Sequence, residues 1–134
     1  MSQPYIGEIR IVGFNFAPTS WALADGQLMP INQNAALFNL IGTTYGGDGA
    51  STFALPNVQS RMPMHMGQGT GLSLRTQGQL GGAESTSFGA AQIPSAPQAP
   101  ISALASAGPS LASVSPFVVL NFIISLFGVF PSQS

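Results

Sequence analysis

Residues 42–65 read GTTYGGDGASTFALPNVQSRMPMH, and the interpretation of this stretch decides the fold. Its glycines, together with Asp48, Arg61 and His65, are typical either of a ligand-binding loop or of the tight turns of a scaffold. The run GGDG at 46–49 lacks the Lys-Ser/Thr of a phosphate loop and the spacing of a dinucleotide fingerprint. Asp48 also stands alone, whereas a calcium loop needs several oxygen ligands at alternating positions. The glycines are therefore predicted to make turns.

This interpretation assigns a structural role to each unusual residue of the stretch. Gly47 and Gly49 are predicted to adopt backbone angles that are closed to other residues, and Tyr45 is predicted to wrap back beneath a preceding helix. Asp48 and Arg61 are among the few charged residues of the chain. They are predicted to pair with each other or to cap backbone groups.

Catalytic and metal-binding groups are scarce in the sequence. His65 is the only histidine, cysteine is absent, and no G-x-S-x-G nucleophile elbow occurs. Nucleophilic catalysis would need a nucleophile and an orienting carboxylate beside His65. A metal would need two or three further ligands per chain, unless symmetry-related copies supplied them. We therefore predict no enzyme, no cofactor and no metal, with His65 in a structural role.

The chain is almost without charge. Three arginines and four acidic residues are the only charged residues among 134, and lysine is absent. Globular proteins average about 25% charged residues. A net charge near zero promotes association, which predicts that copies of the chain bind one another. Three scattered arginines cannot form a phosphate-binding patch, so nucleic acid is excluded as a partner.

The two ends of the chain carry no targeting or membrane signal. The N-terminal sequence MSQPYIGEIR lacks the basic and apolar segments of a classical secretory signal. The most apolar segment, Phe117–Phe130, is shorter than the roughly 20 residues that a membrane-spanning helix needs. We predict neither a classical signal peptide nor a membrane span.

The first third of the chain predicts short strands and one helix. Alternation over 6–12 (IGEIRIV) predicts a half-buried strand with its two charges toward solvent and the opposite face toward the core. Residues 21–24 predict a second strand, and Gln27–Met29 a short return strand. Asp25-Gly26 between them is typical of a hairpin turn, because glycine tolerates the positive φ of such turns.

The helix is predicted to follow at once and to span about ten residues. Asn32 is its expected N-cap, and Gly42 is its expected C-terminal stop. The apolar stripe at helical spacing consists of Leu37, Phe38, Leu40 and Ile41.

The apolar C-terminal segment predicts a strand that is covered on both faces, because its β-branched and aromatic residues occupy both alternating sets. Such a strand closes its own fold or a neighbour's sheet. The residues predicted to carry assembly are Phe117, Val119, Leu120, Phe122, Ile123, Ile124, Leu126 and Phe127.

Three regions are predicted. Residues 1–66 form a compact α+β core, 67–116 form an extended segment rich in Gly, Ser, Ala and Pro, and 117–134 form the C-terminal strand. The fold class is therefore α+β, mostly β, with one short helix and extended irregular segments.

The sequence also resembles a known family, the phage tail collar domain, whose bacterial members are called microcystin-dependent proteins. The resemblance rests on G-E-I near the N-terminus, F-A-P-x-x-W, D-G-Q, L-F-x-x-I-G, Y-G-G-D-G, F-x-L-P and R-x-P, and on the C-terminal ending LNFIISLFGVFP. The matching residues include Gly7, Glu8, Phe16, Pro18, Trp21, Gly26, Gly42, Asp48, Phe53, Arg61 and Leu120–Pro131. The resemblance implies a collar-like fold with intertwined subunits, commonly trimers, in phage tail fibres or tips.

Departures from the family pattern point in one direction. Ala24 stands where a cysteine is frequent, and Asn57, Gln59 and Ser60 replace charged residues or glycine. The family's His-x-His, a candidate metal site, is replaced by 93–98 (IPSAPQ), so the resemblance implies no metal there. These neutral replacements suit a subunit whose outer surfaces meet other subunits.

Two functions remain open at this point. The first is a structural subunit that self-assembles into an extracellular or phage-tail-like fibre or filament, with an open filament slightly favoured over a closed trimer. The second is a receptor- or glycan-binding tail-tip module of an adhesin, commonly trimeric, with Trp21 or Tyr45 as the ligand platform.

Overall fold

The computed structural model describes residues 3–87 and 110–133. Part of the predicted extended segment 67–116 and all of the IPSAPQ run at 93–98 lie outside the described residues. The described elements are β1 (Ile9–Val12), β2 (Trp21–Leu23), β3 (Leu28–Pro30), a 3-10 helix (Ile31–Gln33), α1 (Ala35–Ile41), β4 (Thr52–Ala54), β5 (Ser85–Ser87), β6 (Ser110–Ala112) and β7 (Asn121–Ser125). Small antiparallel sheets with one short α-helix confirm the mostly β, α+β class.

The chain forms two structural units, and their boundaries differ from those of the three predicted regions. The first unit contains residues 1–79 and 119–134, and the second contains 80–118. The three-region division stays a prediction. Within the described residues, no helix is long and apolar enough to cross a membrane.

The main sheet of the first unit has the strand order β1-β7-β2, with β7 antiparallel to both neighbours. Ile124 lies opposite Ile9 on one side and Ala22 on the other. Paired residues of antiparallel strands project from the same face, so these three side chains share one face of the sheet. A strand from the end of the chain thereby joins two strands from its beginning.

The core forms where that face meets the helix and the second sheet, in which β3 pairs with β4. Its buried members are Ile6, Ala22, Leu37, Phe53, Leu55 and Ile124. Leu37 comes from α1, and Phe38 contacts Phe53 with ring centroids 5.5 Å apart. The core therefore depends on residues from both ends of the chain.

The helix is shorter than predicted, and its N-cap lies two residues after the predicted cap. Asn32 lies within the 3-10 helix, and Asn34 occupies the N-cap of α1. The Asn34 side chain donates to the Pro30 carbonyl at 3.1 Å instead of accepting from the helix. Gly42 ends the helix as predicted: its N–H donates to the Phe38 carbonyl at 2.7 Å and its φ is +55°.

The hairpin predicted at Asp25-Gly26 is wrong. Strands β2 and β3 belong to different sheets, since β2 pairs with β7 and β3 pairs with β4. Asp25 instead bridges to Asn57, and its Oδ1 accepts the N–H of Gln27 at 3.2 Å. The Asp-Gly turn thus passes the chain from one sheet to the other.

The predicted burial of the first strand also needs correction. The strand begins at Ile9, and Ile9 and Ile11, expected on the core side, are exposed. β1 lies at the edge of the sheet, and none of its residues belongs to the buried core cluster.

The C-terminal strand is shorter than the apolar run that predicted it. It begins at Asn121, and residues 117–120 precede it as exposed, irregular chain. The register explains this limit, because Asn121 lies opposite Val12, the last residue of β1. Among the described strands, none pairs with residues upstream of Asn121. Ile123, Ile124 and Ser125 within the strand are buried.

The described residues of the second unit form a two-stranded ribbon. Strand β5 pairs with β6 in antiparallel register, with Thr86 opposite Leu111. The Ser113 hydroxyl donates to the Ala83 carbonyl at 2.7 Å. Every residue over 80–87 and 111–118 is exposed. In the part of the chain that the structure describes, the ribbon therefore has no core.

Candidate assembly surface

An exposed apolar surface lies at the end of the main sheet where β1 stops and β7 starts. We define this apolar end surface by five exposed residues of the first unit: Ile11, Phe14, Phe16, Val119 and Leu120. They come from two chain segments that are distant in sequence. The pairing of Val12 with Asn121 brings the two segments to one end of the sheet.

A side-chain hydrogen bond holds the two segments together. The Asn121 amide donates to the Phe14 carbonyl at 2.8 Å, across 107 positions in the sequence. This bond fixes the loop after β1 against the start of β7. The neighbouring residues Phe16 and Val119 nevertheless stay exposed, at 60% and 76%. Apolar side chains are thus presented on an anchored backbone.

The two phenylalanines of this surface pack on each other. Phe14 and Phe16 have ring centroids 5.0 Å apart with an interplanar angle of 35°, within the range of favourable aromatic pairs. A clustered aromatic pair that remains exposed is characteristic of binding surfaces rather than of scattered surface residues. The chemistry available here is hydrophobic burial.

The outer edge of β1 adjoins this surface. Among the described strands, β1 pairs with β7 alone and ends the sheet on that side. An edge strand leaves a row of backbone N–H and C=O groups open to another strand. Ile9 and Ile11 are exposed along this edge. The end of the sheet therefore offers apolar side chains and free backbone groups side by side.

The opposite face of the sheet carries charge and the tryptophan. The Arg10 guanidinium lies 5.1 Å from the ring centroid of Trp21, and its Nε is 3.3 Å from Glu8 Oε1. Trp21 is half-buried. The arginine thus lies between a carboxylate and an aromatic face, and it covers part of the predicted ligand platform.

The other predicted platform, Tyr45, lies elsewhere in the first unit. Its hydroxyl accepts the Gln77 side-chain amide at 3.3 Å, and the residue is half-buried. The structure does not bring Tyr45 and Trp21 into contact. Arg61 donates from Nη1 to the Gln59 carbonyl at 3.2 Å rather than pairing with Asp48.

Asp48 organises the glycine-rich turn. Its Oδ1 accepts the N–H groups of Ala50, Ser51 and Thr52, each at 2.9 Å, and its Oδ2 accepts the Ser51 hydroxyl at 3.1 Å. These backbone hydrogen bonds, led by that from Thr52, hold the pKa of the Asp48 carboxyl well below its ordinary value of 3.8. Asp48 therefore caps backbone groups, one of its two predicted roles.

The predicted turn glycines all have positive φ. The values are +83° at Gly26, +55° at Gly42, +96° at Gly47 and +75° at Gly49. The glycine-rich stretch is therefore a folded turn around a carboxylate, and its glycines are needed for backbone geometry.

Replacing Asp48 by Asn is expected to destabilise the protein at pH 7, because the charged acceptor of three N–H groups is lost. The folded-state pKa is depressed, so the stabilisation is complete above the unfolded value of 3.8 and declines as the pH falls below it. Urea unfolding of both proteins at pH 7 and pH 2.5 measures this. The stability difference should shrink at the lower pH.

Asp25→Asn is the matched control, since Asp25 Oδ1 accepts the backbone N–H of Gln27. It should cost less stability than Asp48→Asn at pH 7. A stability difference for Asp48→Asn that stays constant between the two pH values would contradict the assigned role of the charge.

The predicted assembly residues fall into two groups. Ile123 and Ile124 are buried within the chain's own fold, and Phe122 and Leu126 are half-buried. Exposed members are Phe117, Val119, Leu120 and Phe127. Sequence reasoning did not single out Ile11 and Phe14 for assembly, and it read Phe16 as a family position alone. The signal for them was the continued apolar alternation past Val12.

Conventional metal ligands do not cluster in the described residues. No group of three or more His, Cys, Asp or Glu side chains that could hold a metal ion occurs there. His65 Nδ1 lies 2.7 Å from the Met66 carbonyl oxygen on the exposed segment that follows the glycine-rich turn.

The fold and surface define a small, mostly β structural domain with an exposed apolar end. Comparison with protein families adds a more particular likeness: residues 7–63 match the model of the phage tail collar domain. This confirms the resemblance seen in the sequence over these residues. Phage tail collar domains are structural domains of phage tails and not an enzyme family. No curated protein matches the chain.

Proposed function

We propose that the chain is a self-assembling structural subunit of a fibre or filament, on the outside of a cell or in a phage-tail-like particle. The observation that carries this proposal is the apolar end surface, in which Phe14, Phe16 and Val119 are exposed on an anchored backbone. The collar domain at 7–63 supports a role in a tail or fibre. A surface of this kind, on a chain with seven charged residues, favours a partner that is equally apolar.

The expected energetic gain from covering this surface is large. Burying one large apolar side chain contributes about 1.5–3 kcal/mol, and an aromatic residue at the centre of an interface often contributes about 2 kcal/mol or more. Phe14 and Phe16 also enter the interface already packed on each other, which reduces the entropy lost on binding. A second copy of the chain offers the same apolar groups for this contact.

The open edge of β1 is the second feature that favours assembly, because a strand of another copy can pair with it. A strand from a neighbouring copy that pairs along Ile9–Val12 would extend the sheet by backbone hydrogen bonds, while apolar side chains determine the register. If the pairing relates different surfaces of the two copies, it repeats without closing and makes a filament; if its rotation closes, it makes a ring such as a trimer.

The second unit supports intertwining of subunits. An isolated two-stranded ribbon is marginally stable in water, and every residue over 80–87 and 111–118 is exposed. Leu111 in the ribbon and Phe117, further along in the same unit, are exposed large apolar residues. In the proposed assembly the predicted extended segment 67–116 and the exposed apolar residues before β7 pack on neighbouring subunits.

The double substitution Phe14→Ser with Phe16→Ser tests the apolar end surface. Both side chains are exposed, so the monomer should fold, and association should weaken at least 30-fold, as expected from the loss of about 2 kcal/mol. Native mass spectrometry and electron microscopy of the purified protein measure the oligomer and its form. The wild-type protein should form oligomers or filaments, and the variant mostly monomers.

Leu72→Ser with Leu74→Ser is the matched control, because these residues are also exposed and two positions apart in the same unit. The control should assemble like the wild type. Assembly that survives loss of both phenylalanines would remove the apolar end surface from the proposal. A wild-type protein that stays a monodisperse monomer at working concentration would overturn the proposed function itself.

A glycan- or receptor-binding tail-tip module is the second candidate. The observation in its favour is the half-exposed Trp21 with Arg10 beside its ring, because aromatic faces and arginine suit acidic sugars. Trp21 fluorescence should then change on addition of a surface polysaccharide. Unchanged fluorescence across a broad glycan panel would count against this candidate.

A further inference from the structure

Three methionines alternate around the histidine at the end of the glycine-rich stretch. Residues 62–66 read MPMHM, and they contain three of the five methionines of the chain. The exposed fractions are 82% for Met62, 70% for Met64 and 56% for Met66. Methionine usually fills gaps in a core, as the partly buried Met29 does here. The exposure of all three side chains in one short segment calls for a different role.

The ligand chemistry of this segment is soft and neutral. Thioether sulfur selects Cu(I) among the metals common in proteins, and imidazole nitrogen is also a good copper ligand. Met62, Met64 and Met66 carry their sulfurs on unbranched, flexible side chains, which allows them to converge on one ion. Pro63 restricts the backbone between the first two. Four soft or borderline donors therefore lie within five consecutive residues.

The hydrogen bond of His65 prepares its ring for a metal. Nδ1 lies 2.7 Å from the Met66 carbonyl oxygen, which can only accept. In the neutral ring Nδ1 therefore carries the proton and donates, and Nε2 keeps its lone pair. Metal-ligating histidines typically make this arrangement, in which one ring N–H donates to a carbonyl and the other nitrogen binds the ion. The residue is exposed, so Nε2 is accessible.

The surroundings disfavour hard cations. Met64 and His65 line an open hollow of about 300 Å³, together with Arg75 and small or apolar residues. The described residues that line it include no carboxylate, and the Arg75 guanidinium brings positive charge. Ca²⁺ and Mg²⁺ need oxygen ligands, which are preferably anionic. A univalent ion held by thioethers is penalised least by the arginine.

We propose that Met62, Met64, Met66 and His65 Nε2 form a binding site for a soft univalent metal ion, Cu(I) or Ag(I). The expectation of no metal site considered histidine, cysteine and carboxylate ligands and did not count thioethers. The site does not depend on the proposed self-assembly, because its donors come from one continuous segment of one chain. It adds a capacity for metal capture to a structural domain.

Titration of the full chain with Ag⁺ in chloride-free buffer tests this proposal. Native mass spectrometry should show one Ag⁺ per chain, and NMR of ¹³C-methyl methionine should show shifts at Met62, Met64 and Met66 but not at Met29. The triple variant Met62→Leu, Met64→Leu, Met66→Leu should fold, because its side chains are exposed, and should bind at least tenfold more weakly. Its far-UV circular dichroism checks the fold.

Two controls complete the experiment. Met29→Leu removes a methionine outside the segment and should leave binding unchanged, whereas His65→Gln should weaken it severalfold. Absence of saturable Ag⁺ binding, or equal binding by the triple variant, would overturn the site. Zn²⁺ binding as tight as Ag⁺ binding would overturn its assignment as a soft-metal site, and unchanged binding by His65→Gln would remove the histidine from it.

Discussion

Deletion of residues 117–134 is expected to abolish the folded first unit. The deleted segment contains β7, the central strand of the β1-β7-β2 sheet, so both strand pairings of the sheet are lost together. Ile123 and Ile124 leave the core with it, at about 1.5–3 kcal/mol of lost burial each. Small domains are stable by about 5–15 kcal/mol in total, which the combined loss approaches or exceeds. Circular dichroism and urea unfolding measure the outcome.

Point variants separate the folding role of this segment from its role in assembly. Ile124→Ala should cost about 2–5 kcal/mol, because Ile124 is 1% exposed and lies between β1 and β2. Val119→Ser, at an exposed position before the strand, should change stability by less than about 0.5 kcal/mol. A cooperative unfolding transition in the truncated chain would show that the first unit can fold without β7.

Gly47→Ala is expected to be the most damaging single change in the glycine-rich turn. Gly47 has a φ of +96°, and a Cβ there would collide with the Phe53 Cα and lie 2.8 Å from the Thr52 carbonyl oxygen. Positive φ costs an alanine about 1–2 kcal/mol, and overpacking against backbone adds about 1–3 kcal/mol. We expect a loss of about 3 kcal/mol or more by urea unfolding, since the backbone that must move carries the buried Phe53.

Gly71→Ala isolates the conformational part of this effect. Gly71 also has a positive φ, +75°, but a Cβ there would meet no atom within 4 Å. It should therefore cost only about 1–2 kcal/mol. An equal loss of stability in the two variants would contradict this argument. It would mean that the backbone of the turn moves to accommodate the added methyl group, so that the close contact of Gly47 with β4 adds nothing to the loss.

Features determined by neighbouring residues could be predicted from the sequence. The apolar stripe and the glycine stop at Gly42 follow from helical spacing and backbone freedom. The structure has the stop and buries Leu37, with Phe38 and Ile41 partly buried, whereas Leu40 of the predicted stripe is exposed. The turn around Asp48 was predicted for the same reason, because its hydrogen bonds span two to four residues. The family resemblance over the same stretch pointed to the same scaffold.

Features determined by distant pairing could not be predicted. The Asp25-Gly26 dipeptide is typical of a hairpin, but β2 pairs with β7, about 100 residues away in the sequence, and this pairing overrides the local preference. The alternation at 6–12 gave a strand without revealing that it lies at a sheet edge. Ile9 and Ile11 were consequently assigned to the wrong environment.

Of the residues that form the apolar end surface, the sequence predicted only those from the C-terminal segment. The apolar residues Val119 and Leu120 stood out in a continuous run, whereas Phe14 and Phe16 continue the apolar alternation past Val12, beyond the end of the predicted strand, and were not assigned to assembly. The pairing of Val12 with Asn121 and the Asn121 hydrogen bond to Phe14 show that the two segments meet. The methionine segment was visible in the sequence, but the hydrogen bond that fixes the His65 tautomer was not.

The first unit consists of two separate parts of the chain, residues 1–79 and 119–134, so the chain can be cut between them. A single proteolytic cleavage between 80 and 118 breaks no strand pairing of the β1-β7-β2 sheet. The first unit is thus assembled from two separate parts of the chain. Its short C-terminal part, residues 119–134, complements the larger N-terminal part. If this peptide were expressed separately, it would supply the central strand β7 to the rest of the chain. Adding the peptide could then start the folding of the first unit.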